Sequence, residues 1–216
     1  MTLIFDFDGT LANTLDLILD LYNQHITKQF SCKYFDKSKI EEFRIRRPIS
    51  FLREFGITPI KLPFIIYRVR KLMKAHITEA QLFEGMKEVL TTLHAENIKM
   101  GIVTSNSTEN VQLFLAHHKI EHYFSFIRSS KSLTSKKRSL RKVIAQNKLI
   151  KDDTIYIGDE IRDIRSSKAA DIKCAAVTWG HQHRSLLEQE EPYAILETTK
   201  DILNLIRDAK NHSSMI

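Results

Sequence analysis

Cysteine is nearly missing from these 216 residues: only Cys32 and Cys174 occur, far apart and in no metal-ligand spacing. A disulfide framework and a thiolate zinc site are therefore not expected, and reduced thiols in the cytoplasm are the simplest expectation. Long apolar runs are missing too. The longest, Leu62 to Tyr67, falls far short of the roughly 20 residues that span a bilayer and lies between Lys61 and Arg68. No basic leader precedes the first acid, Asp6, so no secretory signal is expected. Internal repeats and low-complexity tracts are absent. Acid is absent from one long stretch: His122 to Lys151 holds nine Lys or Arg and no Asp or Glu. Lys39 to His76 is similarly skewed, with ten Lys or Arg against three Glu.

What is present describes an ordinary globular chain. Hydrophobic residues make up 43% and charged residues 27%, enough for one large domain or a core carrying a modest inserted module. The formal net charge of +7 attracts anions. Much of that charge is read as solvated surface; the sharper reading is an anionic substrate, with nucleic acid less favoured.

Thr2 to Phe7 is a short run of strand formers ending in the turn signal Asp8-Gly9-Thr10. Leu15 to Ile26 has helical spacing, and Lys39 to Phe55 and Leu62 to Ile77 also read as helices. After Gly85 the rhythm changes. Strands are expected over Ile98 to Val103, Tyr123 to Ile127, Thr154 to Ile157 and Ile172 to Val177. They alternate with helices around Val89 to Leu93 and over Asn110 to His117, Leu140 to Leu149, Ile161 to Ala170 and Thr199 to Ala209, with Asn211 to Ile216 frayed. That alternation implies crossover units, hence an α/β fold with a Rossmann-like parallel sheet. Residues 1–13 and 82–216 are expected to form the core and residues 14–81 an inserted helical module.

Open parallel sheets bind ligands at the carboxyl ends of their strands, and four polar clusters fall there. In Asp6-Phe7-Asp8-Gly9-Thr10 the two acids lie two apart, so both face one site while Phe7 turns inward. Adjacent like charges require compensation, and a hard divalent cation bound through oxygen supplies it. Thr104-Ser105-Asn106 follows a strand and opens a helix, offering a hydroxyl and turn amides to a phosphate oxygen, although Ser and Asn also serve as plain helix caps. Lys136, within Thr134-Ser135-Lys136-Lys137-Arg138, is a mobile point charge suited to phosphate, or simply a surface lysine. In Gly158-Asp159-Glu160-Ile161-Arg162-Asp163 the acids Asp159 and Asp163 stand four apart on one helix face, where they also suit the helix dipole.

These four clusters, in this order, resemble the signatures of the haloacid dehalogenase superfamily, and the inserted helices lie where that family places a type-1 cap. Gly85 looks like the return from cap to core. Ala176-Val177-Thr178-Trp179-Gly180 resembles the last core strand and loop of phosphoglycolate-phosphatase-like members. The resemblance implies a magnesium-dependent phosphate monoesterase acting through an aspartyl phosphate. Asp6 would be the nucleophile and Asp8 the general acid and base. Thr104, Ser105, Asn106 and Lys136 would hold the phosphate. Asp6, Asp8, Asp159 and Asp163 would serve Mg²⁺, Asp163 more through bound water than directly. The pattern departs in places: Ser105 stands where many relatives have asparagine, and Lys137 beside Lys136 allows the lysine assignment to slip by one. Asp8 argues against dehalogenation. Lys28, Lys33, Lys37 or Lys39 acting as a Schiff base would mean phosphonate cleavage, the low-ranked alternative. Other rivals are a phosphomutase, a nucleotide or polynucleotide phosphatase, and a non-catalytic binding module. Arg46-Arg47, or Arg68 and Arg70, are candidates for a second anionic group of the substrate. His25, His76, His117, His118, His181 and His183 are expected to be structural or surface residues. The expected partner is a small phosphorylated metabolite; no membrane is expected, and the oligomeric state is not legible.

Overall fold

A computed structural model describes residues 1–46, 52–130 and 135–213. Thr2–Phe5 (β1) lies at the centre of a six-stranded sheet. Its neighbours are Lys99–Thr104 (β4) and Thr154–Gly158 (β6), both parallel to it. Phe124–Ser129 (β5) closes one edge, and Lys173–Val177 (β7) and Ala194–Leu196 (β8) the other, giving the order β5-β4-β1-β6-β7-β8 with every pair parallel. The remaining two strands, Ala12–Asn13 (β2) and Gln81–Leu82 (β3), pair antiparallel with each other.

A parallel sheet covered on both faces needs strands apolar on both sides. β1 shows the alternation: Leu3 and Phe5 join one core cluster and Ile4 the other. Helices Met86–Ala95 (α5), Thr108–His118 (α6) and Asp201–Ser213 (α10) cover the first face, contributing Val89, Leu90, Phe114, Ile202 and Ile206. Lys136–Gln146 (α7), Ile161–Lys168 (α8) and Arg184–Glu188 (α9) cover the second with Leu140, Val143, Ile164 and Leu187. The α/β parallel-sheet class read from the sequence is what the structure shows.

Between β2 and β3 the chain makes a helical insertion. Leu15–Leu21 (α1) passes through a π-helical stretch, Tyr22–Ile26, into Thr27–Phe30 (α2); Ile40–Ile45 (α3) and Leu62–His76 (α4) follow. Leu19, Tyr22, Ile26, Phe35, Ile57 and Ile65 form its own buried cluster. Arg44 ties it to the core twice: its guanidinium donates to the Thr178 carbonyl (2.7 Å), and its carbonyl accepts from the His183 amide (2.9 Å).

Several expectations need correction. The helix expected over Lys39 to Phe55 is borne out only in pieces: α3 ends at Ile45, where Arg46 turns extended two residues before Pro48, and residues 52–54 are again helical. Arg47 and Thr134 lie outside the described residues. The helix expected over Leu140 to Leu149 begins four residues earlier, at Lys136, and stops at Gln146. Lys148 then adopts a left-handed conformation, and Leu149 donates back to the Ile144 carbonyl. The terminal helix, expected over Thr199 to Ala209, spans Asp201–Ser213, so the first three of the residues expected to fray are helical; residues 214–216 lie outside the described residues.

Candidate active site

Asp6 follows β1, Asp159 follows β6, Thr104 ends β4 and Lys136 opens α7, so four remote segments meet at the carboxyl ends of three adjacent strands. Asp6 is buried; its Oδ1 accepts from the Phe7 amide (2.8 Å) and its Oδ2 from Lys136 Nζ (2.6 Å). The same ammonium donates to Asp163 Oδ1 (2.5 Å). Lys136 is 1% exposed whereas Lys137 points to solvent, which separates the two candidate lysines. Burial works against the Lys136 charge, yet Asp163 and Asp6 together outweigh it and hold its pKa above the ordinary lysine value.

Asp163 has three tasks. Beyond binding Lys136, its Oδ2 accepts from the Asp159 and Glu160 amides (3.2 and 3.0 Å), completing a capping box at the start of α8. Asp159 is fully buried; Thr10 Oγ1 donates to its Oδ1 (3.0 Å) and the His181 amide to its Oδ2 (2.7 Å). Asp8 sits at the site's open side. Thr14 Oγ1 donates to it (2.9 Å), and the Asn106 amide donates to both of its oxygens (3.1 Å each). Thr104 is buried and accepts the Asn106 backbone amide (3.0 Å). Ser105 Oγ accepts from Arg162 (3.2 Å).

Asp6, Asp159 and Asp163 present oxygens that all lie within 4.8 Å of one another. The electrostatics show a pocket short of positive charge. Burial pushes the Asp159 and Asp163 carboxyls up, and the neighbouring acids push the same way against His181 and Lys136. Asp8 is raised too, first by burial and then by Asp6. Such a set, all oxygen and over-negative, suits a hard divalent cation. Arg162 and His181 flank the acids. Burial lowers the His181 pKa, but Asp159 and Glu160 overrule it and lift the ring to about 9. Two of the buried donors there, Arg162 Nη1 and His181 Nε2, have no partner among the described residues.

Glycines shape the acid cluster. Gly9 lies in the left-handed region, and a Cβ there would meet Asp159 Oδ2 at 2.2 Å. A Cβ on Gly180 would meet the Asp159 Cβ at 2.3 Å and the Gly9 carbonyl at 2.4 Å. Gly180→Ala is expected to cost about 1–3 kcal/mol by overpacking, lowering the melting temperature by roughly 2–12 °C for a chain of this size. An unchanged thermal transition would show that this loop is not clamped on Asp159.

Some residues were not legible beforehand. Thr14, which no motif marks, donates to Asp8 beside Asn106. Gln182 accepts the Ile161 amide (2.6 Å) at the start of α8. His181, expected to be structural or surface, lies against Asp159 and Glu160 (3.4 and 3.7 Å) and is a site residue; its partners are some twenty positions away, so no local spacing signals it. His183 does cap α9, accepting the Ser185 amide. Lys28, Lys33 and Lys39 are exposed and Lys37 pairs with Asp20 (2.8 Å), so none stands at the site. Arg46 forks onto Glu54, while Arg70 lines the cavity beside Asp8.

Comparison with known proteins agrees with this geometry. A family model described as haloacid dehalogenase-like hydrolase matches residues 3–177. The chain is 29% identical over 204 residues to a phosphoglycolate phosphatase from Synechococcus elongatus, covering 94% of this chain and 96% of the relative. It is 26% identical over 210 residues to the pyrophosphatase PpaX of Listeria welshimeri, covering 96% of each. The crystal structure of a predicted phosphatase from Clostridium acetobutylicum superposes with a TM-score of 0.82 at 22% identity, over 96% of this chain and 98% of that one. Among the described residues no helix is long and apolar enough to cross a membrane.

Proposed function

The chain belongs to the haloacid dehalogenase-like hydrolases, and from that premise we propose that it is a magnesium-dependent phosphate monoesterase working through an aspartyl phosphate on Asp6. The observation that carries this reading is the buried Asp6–Lys136–Asp163 contact beside Asp159, at the strand ends. A scaffold has no use for four buried charges gathered from three separate segments.

In the first step an Asp6 carboxylate oxygen attacks phosphorus and the ester oxygen leaves, taking a proton from Asp8. In the second, water attacks the aspartyl phosphate and gives its proton to Asp8, freeing phosphate and Asp6. Splitting the reaction this way replaces one hard step by two easier ones, and acid–base help of this kind contributes about 10²–10⁴-fold. The raised Asp8 carboxyl suits a group that must hold a proton in one step and lose it in the next. Thr14 and Asn106 fix its direction. Lys136, Thr104 and the Ser105 amide hold the phosphate oxygens, with Arg162 beside Ser105. Asp6, the Asp8 carbonyl and Asp159 would hold Mg²⁺, and Asp163 would orient its water. When bound, the ion supplies charge neutralisation for the phosphoryl group. Residues 14–81 act as a cap that excludes water from the site.

The relatives' names suggest 2-phosphoglycolate and pyrophosphate as substrates, so both belong in the first panel, beside sugar and nucleotide monophosphates. Phosphate release is expected to require Mg²⁺ and to fall to background with a chelator. Release that survives chelation would remove the metal from the reading, and silence across the whole panel would revive the binding-module alternative.

A further inference from the structure

Beyond Asp8 lies a cavity of about 850 Å³ whose two ends differ in chemistry. The end on the sheet side is polar, formed by Asp8, Ser105, Asn106, Arg162 and His181. There, too, sit Arg162 Nη1 and His181 Nε2, donors with no partner among the described residues. The rest is built by the insertion and is largely aliphatic and aromatic. α1 contributes Leu15, Ile18 and Leu19; α4 contributes Ile65, Ile66 and Val69; Phe35, Phe43 and Phe55 stand among them. The insertion's charged contributions are Arg46, Arg53 and Arg70; Arg46 is committed to Glu54 and Glu42 (2.9 and 3.2 Å), and Arg70 feels the Asp8 charge and so belongs to the polar end, leaving Arg53 among the apolar walls.

This space is of the size that whole drug-like molecules occupy. A small, multiply charged ester would use only the polar end. Pushing a second carboxylate or phosphate against aliphatic walls would strip its hydration without replacing the lost hydrogen bonds. A molecule charged at one end and apolar along the rest satisfies both ends at once.

We propose that the substrate is the phosphate monoester of an alcohol with a large apolar body, its phosphoryl group at Asp6 and Asp8 and its hydrocarbon in the insertion's cavity. The inference rests on the phosphatase reading and narrows it. Hydrolysis breaks the phosphorus–oxygen bond to the alcohol, and the departing oxygen takes the proton from Asp8. Water supplies the replacing oxygen, so the products are the free apolar alcohol and inorganic phosphate.

The test is a homologous series: ethyl, butyl, hexyl and octyl phosphate, each below its aggregation concentration. kcat/KM should climb roughly two- to fourfold per added methylene, the gain of burying that group, until the cavity fills. In Val69→Phe, which fills part of that space, the octyl-to-ethyl ratio should fall at least about tenfold by the same bookkeeping. Reading a ratio within one variant keeps a general loss of activity from imitating the effect. Calorimetric binding of ethyl- and octylphosphonate gives a second readout that needs no turnover. A series that is hydrolysed but flat in chain length overturns this proposal and leaves the phosphatase standing. No hydrolysis, with octylphosphonate bound far more tightly than ethylphosphonate, overturns the phosphatase and upholds the assignment of the cavity to an apolar body. Neither hydrolysis nor a chain-length effect on binding overturns both.

Discussion

Asp6→Asn is expected to lower turnover by at least about 10⁴-fold, the scale on which removing a covalent nucleophile acts, while leaving the fold intact or slightly firmer. The amide keeps the shape of the carboxylate and still accepts from the Phe7 amide. Removing the charge also relieves Asp8 and Asp159, both of which Asp6 pushes upward. Lys136 retains Asp163 as its partner. Two measurements made together decide the matter. Acid-quenched wild-type enzyme should carry one phosphoryl group by intact mass and the variant none, and the variant's melting temperature should match or exceed that of the wild type. A variant that unfolds earlier would make Asp6 a structural ion-pair partner first. One that keeps several per cent of wild-type turnover would dismiss it as the nucleophile.

Lys136→Met acts in the opposite sense on stability. Methionine fills a similar volume, but Asp6 and Asp163 are left buried without their cation. Breaking a buried ion pair from one side costs about 3–5 kcal/mol, here a fall of roughly 6–20 °C in melting temperature. Activity should be lost as well, since the role proposed for Lys136 is to hold a phosphate oxygen. The two losses separate in the double variant Lys136→Met/Asp163→Asn. Neutralising one stranded acid should restore part of the stability, a coupling of about 0.5–3 kcal/mol, yet no activity. Thermal denaturation of the four proteins of this cycle gives the coupling. Additive effects would mean that the 2.5 Å contact carries little energy.

The acids were legible because their signal is local. Asp6 and Asp8 follow an apolar strand two residues apart, and Asp159 and Asp163 flank one strand-to-helix turn; the shared helix face expected for that second pair is not what joins them, because Asp159 precedes the extended N-cap Glu160 and only Asp163 is helical. The parallel sheet was legible from local signal too. The parts that were missed depend on long-range approach. His181, Thr14 and Gln182 are ordinary residues in sequence and gain meaning only from what folds against them. Lys136 and Lys137 are chemically identical, and only the phase of α7 buries one and exposes the other. Asn106 was expected at the phosphate; its further contact, the side-chain amide on Asp8 with the Ser107 and Asn110 donors holding its other end, is a long-range one that its position in the sequence does not signal. β8 was overlooked because Ala194–Leu196 is three residues long, too short for a periodic pattern. The helix drawn through Lys39 to Phe55 gave too little weight to Pro48.

The position of β1 bears on how this protein is made. The earliest strand in the sequence is the middle strand of the sheet, and its two neighbours begin only at Lys99 and Thr154. During synthesis Asp6 therefore emerges long before anything can enclose it, and pairing must bridge most of the chain, a topology that slows folding. Fragments released before Thr154 lack β6, Asp159 and Asp163 and so hold Asp6 without its partners. A ribosome stalled there should display β1 open to proteases, and protection should appear abruptly once β6 has cleared the exit tunnel.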